Sequence, residues 1–341
     1  MICPSKNLSQ KKTLSTYLSS LKNSPNDTDV YIFEGSEDGG NLLILGGTHP
    51  NEPAGFIAAV VLIENMSVQR GKIIILPQAN RSGFTHSDPQ EGNPQMFSIG
   101  TLPGKRWFRF GSRLTNSVHQ WPDPSVYINP GGQRVSGSES RNLNRCYPGK
   151  EKGTLTERTA FAITELIKKE EIDLALDLHE AAPEYPVINA IVFHENAAEL
   201  AAFAFMELQA EGMEFRLESS PPRLRGLSHR EWGDHTGVMA VLLESANPAQ
   251  GRLKGKTSPS LIVEGKDKNY TKAARRGRLF VPFDTDGIPL SSRVARHLAA
   301  VEAFRSNLGK LDPNREIEWS GLPSPDAVKK EGIGAFLKTQ K

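Results

Sequence analysis

Residues 42–65 read LLILGGTHPNEPAGFIAAVVLIEN. The first residues are apolar and suit a buried strand, two glycines follow, and from Pro53 onward an unbroken apolar run has the length of a helix. Proline is well tolerated at a helix start, because its missing N–H has no intrahelical partner there. Strand, glycine turn and helix in that order open an α/β unit, and the flanking sequence repeats the theme. VYIFE (30–34) and KIIILP (72–77) read as strands on either side. Further strands are expected at 173–179, 187–193 and 237–245, with helices over 53–65, 156–169, 197–211 and 291–305. The predicted fold class is therefore α/β: a mixed, largely parallel twisted sheet flanked by helices, its strands apolar enough to be buried on both faces.

The chain has 341 residues, 38% of them hydrophobic, enough for one large or two moderate domains. With 41 lysines and arginines against 39 acidic residues, the net charge of +2 offers no global reason to bind nucleic acid or an anionic membrane. The two cysteines, Cys3 and Cys146, are too few for a disulfide framework and lack the spacing of a thiolate zinc site, so any metal must be held by histidine and carboxylate. The polar N-terminus, MICPSKNLSQKKTLSTYLSS, has no apolar core for a signal peptide or membrane span, and a cytoplasmic location is expected.

Between 81 and 141 the regular pattern gives way to Gly, Pro, Ser and aromatic residues, including GKRWFRFGSR at 104–113, and a second irregular, basic stretch covers 251–278. Long stretches of this kind are functional loops or disordered. The expected organisation is an N-terminal segment (1–28), a core domain (29–310) carrying both stretches as loop insertions, and a C-terminal tail (311–341).

In an open α/β sheet, ligands bind in the crevice beyond the carboxyl ends of the strands. His49 and Glu52 follow the strand that ends near Gly46, His179 ends DLALDLH, and Glu244 ends GVMAVLLE. Two histidines and a glutamate are a common ligand set for catalytic zinc, the fourth position being left to water. Glu244 then remains as a general base, since an apolar strand that delivers a carboxylate into a crevice raises its pKa. Each residue alone has a plainer reading. His49 and Glu52 fit a surface pair, or a glutamate complementing the helix dipole, while His179 fits a core histidine and Glu244 a solvent-facing strand end. A phosphate loop is excluded, because the Gly-Lys-Ser/Thr ending is missing and Glu52 would repel phosphate.

A fourth segment, SRNLNRCYPG at 140–149, places Arg141, Asn142, Asn144 and Arg145 in one short loop. Beside a metal, arginine and asparagine make a fork for a substrate carboxylate, and without one they make a solvated turn. The cationic run Lys105, Arg106, Arg109 and Arg113 offers attraction for acidic substrates or, more plainly, a solvated basic loop.

Taken in order, GGTHPNEPAG, NLNRCYPG, DLHEA and VLLES resemble the zinc carboxypeptidase superfamily, and within it the succinylglutamate desuccinylase and aspartoacylase branch. The resemblance spans roughly residues 41–247. It implies a zinc carboxypeptidase-like sheet, one zinc ion per chain, and hydrolysis of an amide bond near a carboxylate. Carried over by motif, His49, Glu52 and His179 are the zinc ligands, Glu244 the general base, and Asn144 with Arg145 the carboxylate clamp. It further implies an oxyanion-stabilising arginine upstream of that pair, for which Arg134 is the nearest candidate and Arg141 the competitor, and a later substrate-facing tyrosine, for which Tyr270 stands. The chain departs from the family at Asn142, where an aspartate usually supports a ligand histidine.

The function so implied is an N-acyl amino acid deacylase. The alternatives are a metallocarboxypeptidase acting on peptides or cell-wall peptide fragments, and an inactive binding protein of the same fold, which Asn142 brings into view. The partner expected is a small molecule or peptide bearing a carboxylate, with neither nucleic acid nor membrane. Nothing in the sequence sets an oligomeric state.

Overall fold

The computed structural model describes residues 2–88 and 92–338. Residues 1, 89–91 and 339–341, parts of the expected N-terminal segment, first insertion and tail, lie outside the described residues. The strands are β1 (Gln10–Thr13), β2 (Asp29–Glu34), β3 (Glu37–Leu45), β4 (Ser67–Leu76), β5 (Met96–Thr101), β6 (Gly104–Arg109), β7 (Val126–Ile128), β8 (Arg134–Ser136), β9 (Leu174–Ala181), β10 (Ala190–Phe193), β11 (Arg216–Ser219), β12 (Met239–Ala246) and β13 (Glu318–Ser320). The helices are α1 (Pro53–Asn65), α2 (Leu155–Lys169), α3 (Ala198–Ala210), α4 (Ser228–Thr236), α5 (Pro259–Glu264), α6 (Lys268–Ala274), α7 (Leu290–Leu311) and α8 (Pro325–Glu331).

Nine strands form one sheet in the order β1-β2-β4-β3-β9-β12-β10-β11, with β13 also pairing to β4. The four central strands, β4-β3-β9-β12, run parallel, while β1, β2, β10 and β13 join antiparallel. Alternation along β3 shows why both faces are covered. Leu42 and Ile44 enter a core with α1, α3 and α7, whereas Leu43 and Leu45 enter a second core with α2 and Trp232 of α4. Helix α1 is buried from Pro53 to Glu64, which accounts for its uninterrupted apolar sequence. Helix α2 is amphipathic instead and starts at a capping box formed by Thr154 and Glu157.

The stretch 81–141 is not structureless. It folds into two hairpins, β5–β6 and β7–β8, and short helical turns. On the first hairpin Phe97 and Ile99 are buried, and Phe97 and Phe108 pack around Phe56 of α1. Alternation also divides the cationic run. Arg106 turns inward to place two nitrogens 2.8 Å from the fully buried Glu64 carboxylate, while Lys105 and Arg109 face outward. Charged and aromatic residues occupy both faces of this ribbon, so the sequence carries no polar–apolar alternation to announce it. The second stretch, 251–278, likewise contains α5 and α6. The flanks contribute as well: β1 adds an edge strand, Leu14 and Leu21 are fully buried, and β13 returns from near the C-terminus to pair with β4. Among the described residues no helix is long and apolar enough to cross a membrane.

Glu170, at the end of α2, joins that helix to the sheet edge. Its carboxylate accepts from Lys12 at 3.0 Å, Lys72 at 3.1 Å and the Tyr17 hydroxyl at 2.6 Å. Burial alone would raise its pKa, but these donors outweigh it and hold the group at about 2. A carboxyl depressed in the folded state contributes stability above its unfolded pKa and loses it as pH falls through the folded value. Wild-type protein is therefore expected to exceed Glu170→Gln in stability at neutral pH, by on the order of 1 kcal/mol once solvent screening of these partly exposed pairs is allowed for. That gap should close as pH falls from 4.5 toward about 2. Urea unfolding across this range measures it, and a pH-independent gap would contradict the assignment.

Candidate active site

The site is built at the carboxyl ends of β3, β9 and β12. Glu244 on β12 stands in register beside His179 on β9, and the β3–α1 loop brings His49 and Glu52 to the same point. Two glycines make this approach possible. Gly47 adopts φ +69°, which L side chains disfavour, and a Cβ on Gly55 would lie 2.3 Å from the carbonyl oxygen of Leu178. Helix α1 thus presses against β9 one residue before His179, close enough for a short glutamate to reach across.

Glu52 Oε1 lies 2.8 Å from His49 Nδ1, and Oε2 lies 2.9 Å from His179 Nδ1. The two Nδ1 atoms are 3.2 Å apart. All three side chains are 1–2% exposed, which excludes a surface pair. Nor does Glu52 cap its helix: it makes no capping hydrogen bond, and Glu180 takes that task, its Oε2 accepting from the Ala54 N–H at 2.8 Å. Glu180 is itself held by Arg293 of α7 at 2.6 Å, and its backbone N–H donates to Glu52 Oε2 at 3.0 Å.

The outer nitrogens of the two imidazoles face acceptors. His49 Nε2 lies 2.9 Å from Asn142 Oδ1, and His179 Nε2 stands 2.9 Å from Asp177 Oδ2 as a close ion-pair contact. Asp177 also accepts from Thr48 Oγ1 at 2.8 Å and Ser228 Oγ at 2.6 Å. Protons held on both Nε2 atoms leave the Nδ1 lone pairs aimed at the point that Glu52 shares. One ligand atom from each of His49, Glu52 and His179 lies within 4.8 Å of the others. A buried N₂O set with its outer nitrogens backed by acceptors suits a divalent ion with an open fourth position.

The electrostatics agree with that chemistry. Burial, with the Arg113 guanidinium nearby, pushes His49 down to about 4. Burial opposes a charge on His179 too, yet Asp177 and Glu52 outweigh it and hold the imidazole well above its usual range. For Glu52, both histidines overcome the cost of burial and keep the carboxylate well below normal. Glu244 is different: burial first, then the Glu52 carboxylate, push it up to about 8, and its shielded Oε2 has no hydrogen-bond partner among the described residues.

Asn144 and Arg145 lie on the short 3₁₀ turn Leu143–Arg145. Asn144 Oδ1 accepts from the Ser228 N–H at 2.8 Å, which turns its amide. Arg145 is partly exposed and donates to its neighbour's carbonyl at 2.7 Å; burial and the nearby Arg113 lower its pKa. Arg113 reaches the cluster directly, its Nη1 being 3.0 Å from Glu52 Oε1. The other arginines singled out in the sequence are placed elsewhere. Arg141 is buried, clasping Asp123 through two nitrogens and donating to the Thr115 carbonyl. Arg134 is exposed on β8, and its side chain makes no hydrogen bond or ion pair among the described residues. Tyr270 is fully buried with its hydroxyl 2.7 Å from Glu184 and 2.6 Å from the Gln250 carbonyl, so it braces the 250 loop instead of facing the cluster.

Sequence reasoning missed Asp177, Glu180 and Arg113 as parts of the site. The first two were within reach, because residues two apart on a strand share a face. Asp177 therefore stands below His179, and Glu180 points to the opposite side, toward α7.

The fold resembles solved structures of the cell shape determinant protein Csd4 from Helicobacter pylori. The apo form matches with a TM-score of 0.52 and 16% identity over 89% of this chain and 58% of that one. The tripeptide-bound and product-bound forms each match with a TM-score of 0.52 and 16% identity over 89% of this chain and 59% of that one. This chain thus spans less than three-fifths of those structures' length. No curated protein matches it by sequence. What this chain shares with those structures is the fold, a mixed sheet flanked by helices. Residues 127–254 match the family model of the succinylglutamate desuccinylase/aspartoacylase catalytic domain.

Replacing Asp177 with Asn removes the anion behind His179 and is expected to weaken retention of a divalent ion about 10–100-fold. Competition with a chromophoric chelator measures this; unchanged retention would show that Asp177 serves packing alone.

Proposed function

We propose that the chain is a zinc-dependent hydrolase that cleaves an amide bond near a free carboxylate, most directly that of an N-acyl amino acid. The observation that carries this reading is the buried convergence of His49, Glu52 and His179 beside a carboxyl, Glu244, whose Oε2 has no partner among the described residues. The family match at 127–254 supports it. His49 Nδ1, Glu52 and His179 Nδ1 would hold one zinc ion, which when bound lowers the pKa of a coordinated water from about 15.7 toward about 7 and polarises the scissile carbonyl.

The chain's own residues supply the remaining chemistry. Glu244 Oε2 takes the proton of the attacking water and returns it to the departing amine, a double task suited to a carboxyl whose pKa has been raised. Arg113 holds the developing oxyanion, because among Arg113, Arg134 and Arg141 its guanidinium is the one that reaches the cluster. Arg145 and Asn144 bind the substrate carboxylate. Tyr270 supports this pocket from behind, through Gln250, whose side chain donates to the Asn51 carbonyl in the His49 loop at 3.3 Å.

A second reading, peptide cleavage by a metallocarboxypeptidase, is favoured by one observation: a tripeptide-bound structure shares this fold. A release assay comparing N-acyl amino acids with tripeptides separates the two readings by relative kcat/KM.

Glu244→Gln is expected to lower kcat by about 10²–10⁴-fold with zinc content unchanged, and retained turnover would remove Glu244 from the base role. Arg113→Ala is expected to lower kcat by about 10²–10³-fold, while Arg145→Ala should chiefly raise KM. Steady-state kinetics with both variants distinguishes oxyanion from carboxylate binding.

A further inference from the structure

Asn142 is fully buried between His49 and Glu139, and its three side-chain contacts define its orientation. Asn142 Oδ1 accepts from the Asn144 N–H at 3.0 Å, while Nδ2 donates to Glu139 Oε2 at 2.7 Å. Since a backbone N–H can only donate and a carboxylate only accept, the amide cannot be flipped. Its Oδ1 is therefore the atom 2.9 Å from His49 Nε2. The same Glu139 oxygen lies 3.7 Å from Arg145 Nε.

We infer that Glu139 is a positioning residue, supplying through the Asn142 amide the negative charge that backs His49 and tethering the Arg145 guanidinium to the same carboxylate. An amide alone offers His49 an acceptor without charge. A carboxylate on its Nδ2–H polarises that amide, draws density onto Oδ1 and strengthens the Nε2–H···Oδ1 bond, because linked hydrogen bonds reinforce one another in a low-dielectric interior. His49 is thereby held with its Nδ1 lone pair toward the cluster and made a stronger donor to a cation. One carboxylate, 29% exposed, thus serves both halves of the site: the imidazole through Asn142 and the carboxylate clamp through Arg145.

This inference rests on the reading of His49 as a metal ligand, and the test treats the two separately. Zinc affinity is measured by competition with a chromophoric chelator for the full-length protein and for His49→Ala, Glu139→Gln, and Glu139→Gln combined with Asn142→Asp. Glu139→Gln is expected to bind zinc about tenfold more weakly. The double variant, which moves the anion directly against His49 at unchanged net charge, is expected to recover wild-type affinity within about threefold. A purely structural role for Glu139 would not produce that recovery. Wild-type affinity in Glu139→Gln, or a double variant no tighter than the single, overturns the inference. Equal zinc affinity in His49→Ala and wild-type protein overturns the underlying metal reading instead. Should Glu139→Gln fail to fold, the double variant decides alone, a tenfold loss of affinity counting against the role.

Discussion

The carboxylate of Glu52 is the point on which the site is assembled. It lies between two imidazoles, one from the β3–α1 loop and one from β9, and it is almost completely removed from water. A carboxylate in that position is costly unless positive charge and hydrogen bonds surround it. His49, His179, Arg113 and the Glu180 N–H meet that demand from three separate parts of the chain. The close seating of α1 on β9 follows from it, as does the reassignment of helix capping to Glu180: a glutamate that neutralised the helix end could not also sit between the histidines.

Much of this was legible in the sequence, and the limits have physical reasons. The central strands and α1, α2, α3 and α7 are long, apolar and periodic, so pattern alone located them. The ordered motifs around His49, His179, Glu244 and the Asn144–Arg145 pair identified residues that the fold brings to one end of the sheet. The hairpins β5–β6 and β7–β8 escaped because their strands are short or carry large and charged side chains on both faces. Arginines were the hardest to place. A guanidinium on a long stem can reach a site or fill an internal ion pair from similar sequence contexts, as Arg113 and Arg141 do. Tyr270 illustrates the same difficulty for a tyrosine, whose hydroxyl is satisfied inside the fold.

The two histidines are supported by unlike means. His179 faces the carboxylate of Asp177, itself fixed by two hydroxyls, whereas His49 faces the neutral Asn142. This asymmetry agrees with the opposite displacements of their pKa values, one well above the usual range and the other down to about 4. The imidazole that a carboxylate backs is favoured as a cation, whereas the one that meets an amide, buried and near Arg113, is favoured as the neutral ring.

The buried pair between Glu180 and Arg293 carries a consequence for the chain as a whole. The family match covers 127–254 and includes His179, Glu244 and the Asn144–Arg145 turn, but His49 and Glu52 precede it and Arg293 follows it. The helix that seats Glu52 is capped by a glutamate within that span, and the glutamate is in turn steadied by an arginine beyond it. The candidate site is consequently not contained in any one segment of the chain. The segment 127–254 by itself holds one of the three candidate ligands, and its Glu180 would lack the arginine that steadies it.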